Sequence, residues 1–538
     1  MLPRIIPWFI SVIFVFSFLL FVSALILHFV NTDEEDFEDA SIYTSAPYDV
    51  HIFSAYFYNS SKSLGESAIA ILMTADFEVL EQVKQLELLA ISSEDERVVV
   101  TADLERVTPH DACKWITLLS TTQLLPNLSQ LLISLGNEHT SIPFEVIPTN
   151  PIPVVMCISP LFAAESWQNL LLALHVYKRF GAHMHLYIRS IVSPMLEILK
   201  TYEEEGYVTL KSWNRINLLN RNIEDFNPNL NVEFRSQAAS QTDCLLKYKE
   251  SSEFVAFIDL DDLMIPRLAN NYLAEFRFLG AENPSVAYFQ YNKENTRSKA
   301  YKRANFYTVE NTLRSIEFQQ TQETGKMIVQ PGKLNSTWIH WPSKPVQFYK
   351  VPSQINSIVH LKTIEMIDGM GADHDTIPRY MPNDTPDSDE PLIGEKDIKS
   401  IEMDYSRMSW KSSIRRHLRS LPIEMRYSKI IGRCFKDTYY KYHEVLREAT
   451  MLCPGPERCD MRYSKIIGRC FKDTYYKYHE VLREATMLCP GPERCDMSTF
   501  KTKCWNSVGE YHSTRDGQLI NVHFVQNADF KLGDTCVT

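Results

Sequence analysis

The sequence predicts an α/β fold with a mainly parallel sheet, a single N-terminal transmembrane helix and a small β-rich N-terminal domain. Three observations support this. Strand-like and helix-like segments alternate between residues 153 and 262, an uncharged apolar segment fills residues 5–30, and β-favouring runs occupy residues 49–148. Alternating strands and helices of this length favour a parallel sheet that is covered by helices on both faces.

The apolar segment IIPWFISVIFVFSFLLFVSALILHFV has no Asp, Glu, Lys or Arg over 26 positions. A segment of this length can cross a bilayer, whereas the apolar core of a cleaved signal peptide is usually shorter. Arg4 precedes it and DEEDFED follows it. The positive-inside tendency therefore leaves residues 1–4 as a cytosolic tail. We predict a retained signal anchor at residues 5–30, a stem at residues 31–48 and a lumenal chain beyond.

The composition supports a lumenal protein and argues against nucleic-acid binding. A net charge of −12 and a pI near 5.7 do not provide the basic face that such binding requires. Eleven cysteines suggest several disulfides in an oxidising compartment, with one thiol left over. Four N-x-S/T sequons are candidate glycosylation sites, at Asn59, Asn127, Asn335 and Asn383.

Residues 401–538 form a Cys-rich C-terminal region that contains an identical tandem repeat. Residues 425–460 recur letter for letter as residues 461–496. Stacked repeat units normally diverge and usually number three or more. We therefore interpret the repeat as a recent exon duplication or an error in the gene model. Removing one copy would leave eight cysteines, an even number.

Local signals place the elements between residues 149 and 400. VVMCIS, HMHLYIRS, YVTLKSW and FVAFI predict four strands. The predicted helices run from Ser166 to Phe180, from Ser193 and Pro194 to Gly206, and from Gln237 to Lys249 after a Ser236 cap. Gly181 would end the first of these helices.

Three carboxylates, Asp259, Asp261 and Asp262, follow the last of these strands. In open α/β sheets, ligands bind beyond the carboxyl ends of the strands. Carboxylates this close repel one another unless protons or cations intervene, and oxygen ligands suit Mn²⁺ or Mg²⁺. The alternatives are a solvated acidic turn and a phosphatase of the haloacid dehalogenase type. In the phosphatase motif, Leu263 would hold the usual Thr or Val position.

Four blocks resemble, in order, those of glycosyltransferase family 92, the DUF23 family that is expanded in nematodes. The resemblance covers roughly residues 150–400. The blocks read CISPLFAAESWQNLLLALHVYKRFGAHMHLYI, YEEEGYVTLKSWN, QAASQTDCLLKYKESSEFVAFIDLDDLMIP and KMIVQPGKLNSTWIHW.

The resemblance implies a GT-A-like, Rossmann-like domain at residues 149–400, in a single-pass type II Golgi membrane protein. It also implies Mn²⁺ and a UDP-sugar donor, with β-galactosyltransferase activity on N-glycans or related glycans. Asp259 and Asp261 match the family's Asp-x-Asp pair, which would bind the UDP-sugar through the metal. This chain departs from the family pattern at Asp262, where Glu is common, and at Thr242, where Asn is usual.

Relatives with this fold commonly take a further metal ligand from a downstream His, and His340 matches that motif better than His360. Inversion at the sugar carbon would need a carboxylate base. Asp262 is our candidate base, with Glu365, Asp368 and Asp373 as alternatives. Arg189 could meet the diphosphate or could be a surface residue, and we favour the surface interpretation.

The predicted function is a metal-dependent transfer of galactose from UDP-galactose to a glycan or glycoprotein acceptor, with inversion. The second hypothesis is a catalytically inactive lumenal or cell-surface glycan-binding protein. A lumenal phosphatase is the third. KSSIRRHLRS, residues 411–420, is interpreted as a solvated basic helix face.

Overall fold

Two sheets dominate the computed structural model, and strand residues outnumber helical residues among those described. The structure describes residues 48–109, 113–135, 138–147, 150–219, 227–232, 235–368, 376–383, 385, 388–434, 436–437, 440, 501–515 and 520–536. They belong to one unit, Tyr48–Thr538.

The strands are numbered in chain order: β1 (Tyr48–Ser61), β2 (Gly65–Asp76), β3 (Gln85–Ser92), β4 (Arg97–Arg106), β5 (Trp115–Gln123), β6 (Leu128–Leu135), β7 (Glu138–Ser141), β8 (Glu145–Val146), β9 (Val154–Leu161), β10 (His183–Ile188), β11 (Ser190–Val192), β12 (Val208–Ser212), β13 (Phe254–Ile258), β14 (Asp262–Met264), β15 (Tyr288–Tyr301), β16 (Glu317–Val329), β17 (Phe348–Val351), β18 (Ile358–Ile367), β19 (Cys504–Arg515) and β20 (Ile520–Gly533).

The α-helices are numbered likewise: α1 (Val79–Gln82), α2 (Trp167–Arg179), α3 (Ser193–Glu204), α4 (Gln237–Tyr248), α5 (Tyr272–Glu282), α6 (Val309–Arg314), α7 (Glu395–Ser409) and α8 (Ser412–Leu418). Short 3₁₀ turns occur at Pro228–Leu230 and Pro331–Lys333, and residues 427–434 are also helical.

The first sheet combines strands from both ends of the described unit. Its order is β11-β19-β20-β1-β2-β5-β4-β3-β6-β7, and β8 also pairs with β1. β1 and β2 run antiparallel, whereas β20 joins β1 in parallel, from Tyr48 opposite Ile520 to Ile52 opposite Phe524. Apolar residues that alternate along β2 pack into one core with residues of β5 and β20. The strands between residues 48 and 146 therefore share a sheet with the C-terminal hairpin.

The second sheet carries the predicted carboxylates. Its order is β12-β10-β9-β13-β16-β15-β18-β14, and β17 pairs with β15. The first four strands in this order run parallel to one another. Phe254, Ala256 and Ile258 pack into one hydrophobic core, and Val255 and Phe257 pack into another on the opposite face. Burial on both faces explains why FVAFI is apolar throughout.

Two glycines end helices where the sequence predicts it. Gly181 follows α2 with a φ of +83°, and Gly206 follows α3 with a φ of +72°. A left-handed residue of this kind satisfies the last carbonyls of a helix at little steric cost. Ser236 precedes α4 as predicted, but it has a φ of +62° and its side chain makes no capping hydrogen bond.

The predicted fold class, a mainly parallel GT-A-like domain with one transmembrane helix, was wrong. Beyond β13 the sheet is mixed, because β16 runs antiparallel to both β13 and β15, and β14 runs antiparallel to β18. Between α5 and β18, α6 is the one α-helix among the described residues, and antiparallel strands need no helical crossover. Within the described residues, no helix combines the length and apolar composition needed to cross a membrane.

The predicted tail, the anchor at residues 5–30 and nearly all of the stem lie outside the described residues, as does most of the tandem repeat. The domain boundaries stay a prediction.

Candidate functional site

The candidate site lies where β9 and β13 run side by side. β10 and β12 continue the sheet on one side, and β16 begins the antiparallel part on the other. Ser159, near the end of β9, donates a hydrogen bond from Oγ to Oδ1 of Asp259 at 3.2 Å. From β9 the chain adds β10 and β12 on one side of the sheet and then returns to place β13 on the other side, so the strand order reverses between β9 and β13. In open α/β sheets, ligands bind in the crevice beyond the carboxyl ends of the strands at such a point.

A closed turn after β13 sets the directions of the three carboxylates. The amide of Asp262 donates to the carbonyl of Asp259 at 3.1 Å, and the amide of Asp259 donates to Oδ2 of Asp262 at 3.0 Å. Asp262 is therefore drawn inward and has no exposed side-chain surface, whereas the Asp261 side chain keeps 42% of its surface exposed. The turn thus separates a buried carboxylate from an accessible one.

Two buried lysines pair with the carboxylates of Asp259 and Asp262. Lys326 Nζ lies 2.5 Å from Oδ2 of Asp259, and Lys293 Nζ lies 2.9 Å from Oδ1 of Asp262. Burial alone would raise the pKa of Asp259, but Lys326 and Lys293 outweigh it and hold that pKa well below its usual range. Burial lowers the pKa of Lys293, but the negative charges of Asp262, Asp259 and Asp261 outweigh burial. The pKa of Lys293 is therefore raised overall. Burial raises the pKa of Asp262 despite both lysines.

The sequence did not predict these lysines, or Glu323, at the site. Lys326 is the first residue of the KMIVQPG block, directly before a buried apolar run. Its position beside Asp259 arises only because β16 pairs with β13, with Ile328 opposite Ala256. A charged residue directly before a short apolar run is the one signal that could have found it.

His360 completes a group of possible metal ligands. One atom each from Asp261, Asp262 and His360 lies within 4.8 Å of the others. His360 Nδ1 is 2.7 Å from Oδ1 of Asn295, and Nε2 is 3.4 Å from Oδ2 of Asp261. Because an amide oxygen can only accept, Nδ1 carries a proton, which in a neutral ring leaves the Nε2 lone pair facing Asp261.

His340 lies on the same cavity but outside that group. Its Nδ1 donates to the carbonyl of Gly325 at 3.2 Å. Burial and the charge of Lys326 lower the pKa of His340 to about 4, so the ring is neutral near pH 7. Its role as the third metal ligand stays a prediction, and the geometry favours His360.

The site opens into a cavity of about 1020 Å³. Residues from the ends of β9 and β13, from β16 and from the helical segment 427–434 line it. Asp259, Asp261 and both candidate histidines are among the lining residues. Glu323 also faces it, 3.7 Å from His360 and hydrogen-bonded to Lys362. Burial would raise the pKa of Glu323, but Lys362 and His360 lower it overall.

None of the remaining predicted residues that the structure describes lines the cavity. Asp262 does not line the cavity, Glu365 lies on the exposed part of β18, and Asp368 pairs with Lys302 at 2.7 Å. Asp373 lies outside the described residues.

The surface interpretation of Arg189 was wrong, because it is only 3% exposed and donates to Asn229 at 2.8 Å. The sequons stay predictions; they are exposed at Asn59, Asn127 and Asn383 and partly buried at Asn335.

A disulfide holds the inner wall of the site. Cys157 on β9 is bonded to Cys244 on α4, and Gln237 on the same helix donates to Ser159 at 2.6 Å. Asp243 beside it is buried and accepts hydrogen bonds from Tyr56, Tyr187 and Lys211. The disulfide therefore fixes α4 against β9. The hydrogen bonds of Asp243 hold the same helix against β1, β10 and β12.

Comparison with known proteins identifies the family. The sequence profile described as glycosyltransferase family 92 matches residues 152–409. A family 92 protein of Caenorhabditis elegans is 59% identical over 536 residues, with 100% of both chains covered. The chain belongs to glycosyltransferase family 92.

A second family 92 protein of C. elegans is 36% identical over 422 residues, which cover 77% of this chain and 82% of the relative. Among solved structures, S. aureus TarS 1-349 in complex with UDP-GlcNAc is 11% identical, with a TM-score of 0.24. That match covers 62% of this chain and 92% of that one, and a likeness this weak carries no structural argument. Membership of family 92 supports a glycosyltransferase and sets the phosphatase hypothesis aside.

Proposed function

We propose that this family 92 glycosyltransferase transfers galactose from UDP-galactose to a hydroxyl of a glycan, with inversion and with help from a divalent cation. One observation carries the proposal. An accessible carboxylate, Asp261, stands beside His360 at the β9–β13 crevice and faces a cavity of about 1020 Å³. That volume lies at the upper end of the range of typical ligand sites.

The donor set fits a hard cation. Asp261 and His360 would hold Mn²⁺ or Mg²⁺ from the cavity side, with an oxygen of Asp262 behind them. Such an ion would neutralise charge on the departing diphosphate. His360 is oriented for this by Asn295, and Asp261 is the one carboxylate of the three that makes no contact with either buried lysine within 4 Å among the described residues.

The buried lysines set the charge of this site. Three carboxylates with no counter-ions would repel one another strongly, and Lys293 and Lys326 reduce that repulsion in the absence of any cation. Asp259 is then held beside Lys326, and its carboxylate also accepts a hydrogen bond from Ser159. We propose that Asp259 positions the turn and that Asp261 meets the cation directly.

Glu323 is better placed than Asp262 to act as the base. Asp262 is fully buried and paired with Lys293, so an acceptor hydroxyl cannot reach it without disrupting the turn. The Glu323 side chain is 35% exposed on the cavity wall. Glu323 is ionised at neutral pH and can therefore accept a proton, and its lowered pKa makes it a weaker base than an ordinary Glu.

Two disulfides, Cys157–Cys244 and Cys504–Cys536, support an oxidising compartment, and we include the Golgi lumen in the proposal.

The test is UDP release by the purified chain with UDP-galactose, Mn²⁺ and a mixed pool of glycan acceptors. Acceptor-dependent release that is lost on Asp261→Asn and on chelation supports the proposal. Asp368→Asn, a surface carboxylate paired with Lys302, is the matched control and should release UDP normally. Absence of release, together with glycan binding that needs neither UDP nor Mn²⁺, would instead support an inactive glycan-binding protein.

A further inference from the structure

A second cavity, of about 690 Å³, shares no lining residue with the cavity at Asp261. It lies between the loop that follows β15 and helices α7 and α8. We call it the Trp410 cavity, and its lining includes Arg303, Glu402, Tyr405, Trp410, Arg415 and Arg419. Its volume is sufficient for one or two sugar rings, since ligand pockets usually begin at about 300 Å³.

The charge of the Trp410 cavity is opposite to that of the chain. Arg303, Arg415 and Arg419 reach it from two separate segments, all three are exposed, and within the described part of the chain none is paired with a carboxylate. Glu402 is the one carboxylate among the described lining residues, and it already accepts from the amide of Glu310 and from Ser406. In a chain with a net charge of −12, this local excess of positive charge favours an anion.

Among the described residues that line the Trp410 cavity, Trp410 is the exposed aromatic side chain. Trp410 is 70% exposed at the C-terminal end of α7, and the guanidinium of Arg415 lies 4.9 Å from its ring centroid. A flat indole beside cations offers both an apolar face for a ring-shaped ligand and charge for an anionic substituent.

We propose that the Trp410 cavity binds an anionic saccharide, with its carboxylate or sulfate groups on the arginines and one sugar face on Trp410. The choice of a saccharide over other anions rests on the proposed glycosyltransferase function. The arginines converge on a concave space, which suits a discrete ligand better than a flat anionic membrane surface. The cavity would thus hold an acidic part of an acceptor away from the reacting hydroxyl.

The test is calorimetric titration of the full chain with three oligosaccharides of equal length: one sulfated, one carrying only carboxylates and one neutral. We expect binding of at least one anionic probe that weakens as salt rises, and no binding of the neutral probe at the same concentration. The double variant Arg415→Gln/Arg419→Gln should weaken binding at least tenfold, and Trp410→Ala at least fivefold. Arg416→Gln is the matched control, because Arg416 is exposed on the same helix but does not line the cavity. It should remain within twofold of the natural chain.

The proposal is overturned if Arg416→Gln weakens binding as much as the double variant, if the neutral probe binds equally well, or if neither anionic probe binds. Binding to vesicles with anionic lipid that depends on Trp410, without saccharide binding, would replace it with a membrane-surface site. The two anionic probes distinguish carboxylate from sulfate. If saccharide binding survives but the natural chain releases no UDP from UDP-galactose, the catalytic proposal fails and this one stands.

Discussion

Lys326 Nζ lies 2.5 Å from Oδ2 of Asp259, and the lysine side chain is only 1% exposed. A fully buried ammonium group beside the first carboxylate of the Asp-x-Asp pair gives that carboxylate an internal counter-ion. Asp261, two residues on, faces the cavity and the imidazole of His360 instead. The pair therefore consists of one carboxylate with a buried ammonium beside it, Asp259, and one beside an imidazole, Asp261.

Removal of Lys326 should destabilise the fold. In Lys326→Met, Asp259 and Asp262 would share only Lys293, and breaking a buried ion pair in this way costs about 2 to 4 kcal/mol for a partly exposed carboxylate. Urea unfolding would measure it. Lys302→Met, which breaks the exposed pair with Asp368, should cost less than about 1 kcal/mol. Equal losses in the two variants would mean that Lys326 is not a buried counter-ion.

Loss of the Asp261 carboxylate should affect catalysis more than stability. Asp261→Asn keeps the size of a side chain that is 42% exposed, so the urea midpoint should change little. UDP release should fall by roughly 100-fold or more, because the proposed cation, which would neutralise charge on the departing diphosphate, loses a ligand. A large loss of stability with unchanged release per folded molecule would contradict this.

Glu323→Gln should lower the turnover rate while leaving donor binding intact. A general base contributes about 10²- to 10⁴-fold to the rate, and we expect kcat to fall within that range, with KM for UDP-galactose within about threefold. Glu317→Gln provides the comparison, because Glu317 is exposed at the start of the same strand and does not line the cavity. A normal kcat for Glu323→Gln would exclude Glu323 as the base.

His340 should make the fold less stable in mild acid. Its pKa is about 4 in the folded protein and 6.5 in the unfolded chain, so between these values the unfolded chain binds more protons. The free energy of unfolding therefore falls as the pH drops from 6.5 towards 4. The slope should stay below about 1.4 kcal/mol per pH unit, because the ring is partly exposed. His340→Gln should flatten this part of a urea-unfolding series, and an unchanged profile would assign the dependence to other groups.

The Cys157–Cys244 bond should stabilise the fold more than Cys504–Cys536. The bonded residues are 87 positions apart in the first and 32 in the second. Replacing both members of either pair by Ser should cost about 2 to 5 kcal/mol. Loop-closure entropy makes the loss for Cys157 and Cys244 larger by about 0.9 kcal/mol. The reverse order in urea unfolding would contradict this account.

Local elements around the site could be predicted from the sequence, but their assembly could not. The apolar spacing before Gly181 and the Ser193-Pro194 start of α3 are local signals, and both helices form where these signals place them. The mixed sheet depends on long-range pairing, and β15 contains buried charged residues that hide its strand character. For the same reason the sequence could place the three aspartates together after β13, whereas placing Lys293 and Lys326 beside them required the register of β16 against β13 and of β15 against β16.

The parallel pairing of β20 with β1 has a consequence for synthesis of the chain. Asn521 donates to Oδ1 of Asp49 across a separation of 472 positions. At about 5 to 20 residues per second, a ribosome needs roughly 25 to 95 s to add the intervening residues. During that interval one edge of β1 has no partner strand from β20. The nascent chain should therefore depend on chaperones until its last strands emerge, and a premature stop codon before Ile520 should yield an aggregation-prone product even though the cavity at Asp261 is already encoded.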